Sequence, residues 1–458
     1  MFKWNTNNII DATGRRDVNG CNWTHSSNIS TDTRSIKKGD LFIALKGKNF
    51  DGHNFLHEAF LKGAAAAIVS EGKYKNFPLI IVQDTLKALH DMASYYIRNI
   101  LVDAKVIAIT GSVGKTTTKD MLHTVLSQYG VSHANKGNLN NNIGLPLTIL
   151  KAPKNCQYLI FEMGMNKAGE IKELSKISHP NIAVITNIKS AHTENFSSLF
   201  DVAQAKLEIL YGMKSNGTLV LNRDNKYYDY LSSHANRNVI SFGKDKNAEV
   251  CLLDLIRNDD GLNLKIRLSD NQTINCNLRV QGEHFAYSLL VVAAVVQSLG
   301  LDLSKLPLAL KNFSVTKGRG NIHKVKYNKK YIHLIDDSYN ASPASMKTAI
   351  KTLSTYSNQR KVALLGDMLE LGDKSIEFHT DLVKIVTENN IDKIYTVGKF
   401  MLELHELLPD NIRGAHFNDS NQLKSDLANI IQNNDAILVK GSRRMKMDLI
   451  VREFTIEY

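Results

Sequence analysis

The stretch Val106-Ile-Ala-Ile-Thr-Gly-Ser-Val-Gly-Lys-Thr-Thr-Thr118 decides the fold of this chain. Its apolar first part predicts a buried strand, and its second part brings glycines, a lysine and a run of threonines. Glycines let successive backbone N–H groups turn toward one anion, Lys115 can supply a positive charge, and the Thr116 hydroxyl can ligate Mg²⁺. The stretch therefore predicts a phosphate-binding loop, followed by a helix from Lys115 to about Tyr129 that ends at Gly130.

The spacing of this loop is shorter than that of the common P-loop. Four residues usually separate the two glycines, whereas only Ser112 and Val113 separate Gly111 from Gly114. The short form points to a smaller group of ATP-dependent ligases. A glycine turn can also join a strand to a helix without any ligand, but packing gives no reason for the lysine and threonine that follow. We therefore expect ATP to be bound by Gly111, Ser112, Val113, Gly114, Lys115, Thr116 and Thr117.

Composition narrows the class of protein. The 458 residues suffice for two or three domains, and 43% hydrophobic with 22% charged residues is ordinary for a globular protein. No apolar run approaches the roughly 18 residues of a membrane span, and the first residues lack the apolar core of a secretion signal. The four cysteines show no Cys-x-x-Cys spacing that would indicate a disulfide framework or a zinc site. We expect a cytoplasmic protein with free thiols and no membrane span.

The net charge of +12 suits an anionic partner, which could be a nucleotide, a nucleic acid or an acidic metabolite. The basic residues are spread along the chain. Their densest group, from Lys440 to Lys446, has no interleaved aromatic residues for base stacking. A lysine-rich soluble surface also accounts for the charge, so we expect no nucleic-acid partner.

The pattern of apolar runs divides the chain into three α/β domains. Residues 1–103 predict a small α/β domain without a nucleotide motif. In residues 104–316, predicted strands repeatedly end in polar residues, which is typical of a parallel sheet that binds ligands at the carboxyl ends of its strands. Alternating segments at about 249–280 predict added hairpins. Residues 317–458 predict a Rossmann-like domain, with a hinge at 318–321.

Polar residues that follow predicted strands are the candidate metal ligands. Glu162 ends an apolar strand, so its carboxylate emerges near the phosphate loop, where it could ligate Mg²⁺ beside Thr116. His192 follows the next strand and could ligate a metal or orient a phosphate. Lys206 lies on the helix after it. Each of these three residues also has a plain interpretation, as an exposed strand-end glutamate, a surface histidine or a solvated lysine.

Three further features could complete a site. Asparagines cluster between Lys136 and Pro146, and their amides can hold a carboxylate or a phosphate without adding charge, although an asparagine-rich turn is the structural alternative. The segment 336–343 closes a predicted strand, and its carboxylate Asp337 can accept hydrogen bonds from ribose hydroxyls. Arg319 is flanked by glycines and could clamp the γ-phosphate with two hydrogen bonds.

Taken in order, these motifs resemble the Mur ligases of peptidoglycan synthesis, and the resemblance covers nearly the whole chain. Its marks in the first domain are Asp32-Thr-Arg-Ser, Gly39-Asp-Leu-Phe-Ile-Ala-Leu and Asp51-Gly-His. The later marks are the short P-loop, Gly137-Asn-Leu-Asn-Asn-Asn-Ile-Gly-Leu-Pro-Leu-Thr, Glu162-Met-Gly, Asp336-Asp-Ser-Tyr-Asn-Ala-Ser-Pro, Leu365-Gly-Asp-Met-Leu-Glu-Leu-Gly372 and Val439-Lys-Gly-Ser-Arg443. The Asp-Asn-Pro-Arg motif of the ligases that add a diamino acid is absent.

The resemblance implies an activity, namely ATP-dependent joining of D-Ala-D-Ala to UDP-N-acetylmuramoyl-tripeptide through an acyl phosphate. It implies that the first domain holds the UDP-muramoyl substrate, the central domain ATP and the last domain the dipeptide. It also implies two Mg²⁺ ions, which with Lys115 and Arg319 would spread the charge of the transferring phosphoryl group. We expect a monomer.

Carried over residue by residue, the resemblance assigns roles to single side chains. Asn142 and His192 fall on positions that the family uses around the metal and the γ-phosphate. Lys206 falls on a lysine that related ligases carbamylate, which would turn a cation that repels Mg²⁺ into an anionic ligand; for this chain carbamylation is a hypothesis. The expected catalytic residues are Lys115, Asn142, His192, Lys206 and Arg319, the metal ligands Thr116, Glu162, His192 and Lys206, and the residues for the other two substrates Thr33, Arg34, Asn140, Asn141, Asn340 and Ser342.

One segment departs from the family pattern. The family commonly has Gly-x-His-Asn-x-x-Asn where this chain reads Gly282-Glu-His-Phe-Ala-Tyr-Ser288. Phe285 and Ser288 therefore replace both adenine-contacting amides, and we assign no adenine ligand there.

Two other functions stay open on the sequence. A different Mur ligase or a folylpolyglutamate-type synthetase would be told apart by the amino acid or dipeptide that it accepts. From another class, a basic P-loop protein could bind nucleic acid and hydrolyse ATP. The missing aromatic-basic patch and the extra first domain weigh against this second alternative.

Overall fold

The structure, a computed structural model, describes residues 2–14, 18–19, 23–47, 49–71, 77–189, 195–258 and 261–455. Three separate sheets of five, nine and six strands organise these residues along the chain. The predicted three-domain α/β fold is confirmed. The domain boundaries at 103/104 and 316/317 fall between the sheets, and their positions stay a prediction.

The first sheet is small and is covered by short helices. Its strands are β1 (Val18–Asn19), β2 (Ile29–Ser30), β3 (Leu41–Ile43), β4 (Ala66–Val69) and β5 (Leu79–Ile81), and its helices are α1 (Thr6–Thr13), α2 (Leu56–Leu61) and α3 (Thr85–Tyr95). The strand order is β1-β5-β4-β3-β2, and β1 pairs antiparallel with β5. Asp84 is the N-cap of helix α3, and its carboxylate accepts hydrogen bonds from the backbone N–H groups of Leu86 and Lys87. It packs against the central domain and is therefore the main link between the two.

The central sheet carries the phosphate loop. Its strands are β6 (Lys105–Thr110), β7 (Ser132–Ala134), β8 (Tyr158–Glu162), β9 (Ile182–Ile185), β10 (Thr218–Asn222), β11 (Asn238–Gly243), β12 (Val250–Asn258), β13 (Gly261–Arg267) and β14 (Thr273–Leu278). In the order β14-β13-β12-β11-β10-β9-β6-β8-β7, the strands from β7 to β12 pair in parallel, so the carboxyl ends of β6, β8 and β9 share one edge. Strands β12 to β14 pair antiparallel, which confirms the predicted hairpins.

Seven helices accompany the described part of this sheet, namely α4 (Lys115–Leu126), α5 (Gly144–Leu150), α6 (Glu170–Ser178), α7 (Leu199–Leu207), α8 (Tyr228–Ser233), α9 (His284–Ser298) and α10 (Leu306–Leu310). Helix α4 ends three residues before the predicted Tyr129, because the N–H groups of Gln128 and Tyr129 bond to carbonyls three residues back and tighten the last turn. Helix α9 is buried along almost its whole length against α4 and the sheet. This packing holds the start of α9 beside the phosphate loop.

The last sheet has the predicted Rossmann-like form. Its strands are β15 (Asn321–Tyr327), β16 (Lys330–Asp337), β17 (Arg360–Gly366), β18 (Lys393–Val397), β19 (Arg413–Phe417) and β20 (Asp435–Lys440), and its helices are α11 (Pro343–Ser354), α12 (Ser375–Thr380), α13 (Leu382–Glu388), α14 (Lys399–Leu407), α15 (Ser420–Ile430) and α16 (Asp448–Thr455). In the order β15-β16-β20-β17-β18-β19, every pair is parallel apart from the β15–β16 hairpin. Apolar cores on both faces complete the domain.

The sequence also predicted the absence of a membrane span and the presence of free thiols. No helix among them is long and apolar enough to cross a membrane. Cys156, Cys251 and Cys276 are buried free thiols, and burial raises the pKa of Cys156 to about 11. Cys21 lies outside the described residues.

Candidate active site

A cleft of about 1400 Å³ lies between the central and the last sheet. The phosphate loop and the start of α9 form one side, and α11 with the segment after β16 forms the other. Most of the predicted site residues line this cleft, although they are far apart in the sequence: Ser112, Val113, Gly114, Lys115, Thr116, Thr117, Asn140, Asn141, Asn142, Glu162, Lys206, Arg319, Asp337, Asn340 and Ser342.

The phosphate loop owes its shape to two glycines with positive φ. Gly111 has φ +148° and Gly114 has φ +86°. A Cβ atom on Gly111 would collide with the hydroxyl oxygen of Thr186, which itself donates to the Val113 carbonyl at 2.7 Å. Gly114 is the N-cap of α4, so the positive end of that helix faces the cleft. The shape of the loop and the end of α4 therefore fit the predicted anion site.

Lys115 is held at the start of α4. Its Nζ donates to the Gly111 carbonyl oxygen at 2.7 Å. Burial lowers the pKa of Lys115, the Glu162 carboxylate opposes this effect, and the Arg319 guanidinium adds to it. A phosphate group in the loop would offset the burial cost of this ammonium by supplying negative charge.

Glu162 lies at the centre of the site. Its side chain is buried at the end of β8, and its two carboxylate oxygens accept from the Thr116 hydroxyl at 2.7 Å and from the Asn140 amide at 2.9 Å. Asn135 clamps its backbone, with Nδ2 donating to the Glu162 carbonyl at 3.0 Å and Oδ1 accepting from the Glu162 N–H at 2.9 Å. The alternative of an exposed strand-end glutamate is therefore wrong. An adjacent hydroxyl and carboxylate are hard oxygen ligands that fit Mg²⁺.

Lys206 lies buried in the last turn of α7 and lines the cleft. Within the described residues, no hydrogen bond or ion pair engages its amine. Burial, followed by repulsion from Lys115, lowers the pKa of Lys206 well below its usual range. The interpretation as a solvated lysine is therefore wrong. As an ammonium it would not fit beside Mg²⁺, whereas as a carbamate it would.

The remaining expected metal ligand, His192, stays a prediction. His192 lies among residues 190–194, outside the described residues. In the described part of the chain, no group of three or more His, Cys, Asp and Glu side chains is placed to hold a metal ion. A site with few carboxylates suits Mg²⁺, which is commonly held by one or two of them together with substrate phosphates.

The three predicted asparagines of the loop before α5 have different environments. Asn140 bonds to Glu162, as described above. The side chain of Asn141 accepts from the N–H of Gly144, the first residue of α5, at 2.8 Å, and its role toward substrate stays a prediction. The carbonyl of Asn142 accepts from His90 Nε2 at 2.6 Å, while its side chain lines the cleft. We call residues 138–142 the amide loop.

On the opposite side of the cleft, Asp337 is paired with Lys440. The two are register neighbours on β16 and β20, and Nζ of the buried Lys440 lies 2.6 Å from Asp337 Oδ2 and 3.0 Å from the Asn340 carbonyl oxygen. Burial raises the pKa of Asp337, and the attraction of Lys440 opposes this rise. The pairing engages one oxygen of the Asp337 carboxylate, and the contact of this residue with a ribose hydroxyl stays a prediction. In the sequence, Lys440 belongs to a basic group and to the family motif Val439-Lys-Gly-Ser-Arg443, but neither of these predicts its pairing with Asp337.

Arg319 lies over an aromatic ring that sequence reasoning did not single out. Its guanidinium carbon is 4.2 Å from the Tyr339 ring centroid, and that of Arg443 is 5.6 Å from the same ring. The ring therefore orients two cations at the edge of the cleft. The motif from Asp336 to Pro343, which carries Tyr339, was the signal that could have found it.

Three predicted substrate residues have structural partners. Ser342 forms a capping box with Ser345 at the start of α11. In the first domain, Arg34 binds Asp32 with its guanidinium and lowers the pKa of that carboxyl to about 2, and the Thr33 carbonyl accepts from Lys62 at 3.1 Å. Thr33 and Arg34 do not line the cleft, so the structure does not bring them together with the other predicted residues.

The segment that departs from the family is packed into the core. Phe285 is fully buried beside His284 and Phe313, and the buried Ser288 accepts from the Thr118 hydroxyl at 3.2 Å. His284 Nδ1 is buried without a hydrogen-bond partner in the described part of the chain. Burial, followed by repulsion from Lys440, lowers the pKa of His284 to about 4.

Sequence models of three domains match consecutive parts of the chain. They are described as "Mur ligase family, catalytic domain" over residues 25–105, "Mur ligase middle domain" over 109–296 and "Mur ligase, glutamate ligase domain" over 318–443. Together they span most of the chain, and the second and third contain every residue that lines the cleft apart from Arg444.

Relatives of known name cover almost the whole chain. The UDP-N-acetylmuramoyl-tripeptide--D-alanyl-D-alanine ligase of Buchnera aphidicola subsp. Baizongia pistaciae is 39% identical over 94% of this chain and 92% of its own length. The ligase of the same name from Bacillus subtilis is 36% identical, over 93% and 92% of the two chains.

Solved structures of similar proteins have the same arrangement of domains. A crystal structure of MurF from Acinetobacter baumannii has a TM-score of 0.91 and 30% identity over 99% of both chains. The MurF ligase of Thermotoga maritima in complex with ADP has a TM-score of 0.83 and 28% identity, over 93% of this chain and 96% of its own.

Proposed function

The chain belongs to the Mur ligase family, and we propose that it joins D-alanyl-D-alanine to UDP-N-acetylmuramoyl-tripeptide while ATP is converted to ADP and phosphate. One structural observation supports this proposal independently of the similarity to named relatives. The buried Glu162 is shared by Thr116 of the phosphate loop and Asn140 of the amide loop, so the groups for ATP and for its acceptor meet at one carboxylate. A cytoplasmic location and a monomer are part of the proposal, because ATP is a cytoplasmic substrate and one chain supplies all of the proposed groups.

The first chemical step is phosphoryl transfer to the tripeptide. The terminal carboxylate of the tripeptide attacks the γ-phosphorus of ATP, a carboxylate–phosphorus bond forms, the bond to the bridging oxygen breaks, and ADP leaves. The N–H groups at the start of α4 would bind the phosphates, and Lys115 and Arg319 would spread the charge of the moving phosphoryl group. Lys115 would exchange its hydrogen bond to the Gly111 carbonyl for one to phosphate.

The second step forms the amide bond. The amine of the dipeptide attacks the acyl carbonyl, and the tetrahedral intermediate expels phosphate as the amine loses a proton. Asn340 and the Asp337–Lys440 pair lie on the wall of the last domain, where we propose that the ribose and the dipeptide are bound. We propose that Thr33 and Arg34 belong to the UDP-muramoyl site of the first domain.

Mg²⁺, when bound, supplies positive charge to the phosphate oxygens. We propose that Thr116 and Glu162 hold one ion, and that a carbamylated Lys206, with His192, holds a second. The ammonium of unmodified Lys206 would repel a metal ion, so binding of the second ion would require the carbamate.

The function is tested by phosphate release from the purified protein. With ATP, Mg²⁺ and UDP-N-acetylmuramoyl-tripeptide present, we expect release to require D-Ala-D-Ala, and mass spectrometry to find the UDP-linked pentapeptide. Acceptance of single amino acids in place of the dipeptide would instead indicate a different ligase of the family. ATP hydrolysis that rises with RNA or DNA, and not with the UDP-muramoyl substrate, would contradict the proposal.

Carbamylation of Lys206 has its own test. We expect Lys206→Ala to lower kcat by about 100-fold or more, as loss of a metal ligand should. Chloride or short carboxylates should restore part of the activity to Lys206→Ala, since a small anion can take the place of the carbamate, but not to the control Lys206→Arg, whose guanidinium fills the site. Undiminished activity of Lys206→Ala in bicarbonate-free buffer would exclude the hypothesis.

A further inference from the structure

His90, on α3 of the first domain, reaches the amide loop of the central domain. Its Nε2 donates to the Asn142 carbonyl oxygen at 2.6 Å, and its Nδ1 lies 3.5 Å from a carboxylate oxygen of Glu173 on α6. Only 12% of the His90 side chain is exposed. Because a carbonyl oxygen only accepts, Nε2 must carry a proton in this contact. The residue therefore joins three elements from two domains.

The rest of the amide loop is held from within the central domain. The Asn140 carbonyl accepts from the Gly164 N–H at 2.9 Å, and the Asn140 amide donates to Glu162. The Asn141 side chain accepts from the N–H of Gly144 at the start of α5. The peptide of Asn142 differs, because its carbonyl is anchored by the first domain. Asn142 is one of the residues that line the cleft, and its side chain makes no hydrogen bond within the described part of the chain.

We propose that His90 is a positioning residue that holds Asn142 in place for the terminal phosphates of ATP, an inference that rests on the proposed function. A hydrogen bond to the Asn142 carbonyl restricts its peptide plane, and the Asn142 side chain leaves from the adjoining Cα. Without this bond, the amide would have to be ordered when ATP binds. The loss of one such hydrogen bond is expected to weaken binding about fivefold.

A simpler role would be to dock the first domain onto the central one. A hydrogen bond between α3 and the end of α6 allows these two roles to be told apart. Ser94, one helical turn further along α3, lies 3.0 Å from Nε2 of His179, the residue that ends α6. This contact joins the same domains but does not reach the amide loop. Ser94→Ala is therefore a matched control for docking.

The experiment compares the full-length wild-type protein with His90→Leu, His90→Gln and Ser94→Ala in the ligase assay. For His90→Leu, we expect the KM for ATP to rise about fivefold and the KM for D-Ala-D-Ala to stay unchanged. A fall in the amount of folded enzyme would lower the apparent kcat but would not move either KM. His90→Gln should recover most of the effect, because its amide can still donate to the carbonyl. Ser94→Ala should behave as wild type.

Hydrogen exchange of the amide loop in the protein without substrates gives a readout that does not depend on activity. Faster exchange of residues 138–145 in His90→Leu, but not in Ser94→Ala, supports the proposal. It is overturned if His90→Leu changes neither the exchange nor the KM for ATP, or if Ser94→Ala changes both equally. If the wild type makes no product, the proposed function fails, and the exchange comparison still decides whether His90 holds the loop.

Discussion

Burial decides the chemistry of single side chains in the cleft. Lys115 and Lys206 carry ordinary lysine side chains, yet removal from water lowers the pKa of each. The Glu162 carboxylate opposes this effect at Lys115, whereas repulsion from Lys115 lowers the pKa of Lys206 further. Glu162 has both carboxylate oxygens hydrogen-bonded, which makes its burial tolerable. The same residue types on a surface would have none of these properties.

His284 makes the stability of the protein depend on pH. Its pKa is about 4 in the folded protein, against an ordinary value of 6.5. Between these two values the unfolded chain binds more protons than the folded one, so stability falls as the pH drops through this window. Glutamine does not titrate. We therefore expect the free energy of unfolding of His284→Gln to fall less than that of wild type between pH 7 and pH 4.5, by on the order of 2 kcal/mol.

Urea unfolding at the two pH values measures this difference. His234→Gln, at an exposed position, is the control and should show the pH dependence of wild type. Equal pH dependence of His284→Gln and wild type would show that His284 is not the group responsible.

At the scale of elements, the phosphate loop is held from both sides. The loop connects β6 to α4. The segment after β9 holds it through two hydrogen bonds: the Thr186 hydroxyl donates to the Val113 carbonyl at 2.7 Å, and the Ser112 hydroxyl donates to the Lys189 carbonyl at 2.8 Å. The loop therefore has little freedom to rearrange around an added atom.

Gly111→Ala should remove the anion site. The substitution combines a φ of +148° with a collision between the new Cβ and the Thr186 hydroxyl. We expect at least about a tenfold loss of ADP affinity and a destabilisation of about 2–4 kcal/mol. Gly300→Ala is the control, because Gly300 also has positive φ, +66°, but has no atom near its Cβ position. It should cost about 1 kcal/mol and leave ADP binding, measured by calorimetry, unchanged.

At the scale of the whole molecule, a short linker connects the central and last domains. Thr316 bonds to Asp120 on α4, whereas the N–H of Gly318 donates to the Asp336 carboxylate at 2.9 Å and that of Gly320 to the Asp336 carbonyl at 2.7 Å. The exposed Lys317 lies between these anchors. Rotation of one domain against the other should therefore concentrate at Lys317, one residue before the predicted hinge.

Asp336→Ala should loosen this linker. The substitution removes the acceptor for Gly318 and for the Ser338 hydroxyl, which lies 2.6 Å from it. We expect trypsin to cleave at Lys317 or Arg319 about tenfold faster, and kcat/KM of the ligase reaction to fall by a similar factor. Asp392→Ala is the control, since that exposed carboxylate accepts from the Lys361 N–H at 2.7 Å in the same domain but away from the linker. Equal cleavage rates in both variants would contradict this account.

Periodic and local features of the sequence predicted much of the fold. The polar ends of the central strands indicated a parallel sheet, and the alternation at 249–280 indicated the hairpins β12 to β14. The end of α4 was predicted three residues too late, since a tightened last turn leaves no mark in the apolar pattern. In the site, the phosphate loop and Glu162 followed from strand-end chemistry, whereas the importance of Lys206 came from the family resemblance alone.

The sequence by itself determined the class of fold and the family, and it located the glycine loop between β6 and α4, because these depend on short motifs and on the period of apolar residues. Only the tertiary structure decided that Lys206 is buried, that Asp337 pairs with Lys440, that two arginines contact the Tyr339 ring and that His90 reaches the amide loop. The physical reason is that burial, pairing and pKa depend on which distant segments pack together. The sequence shows which chemical groups each residue carries, whereas packing determines their burial, their partners and their pKa.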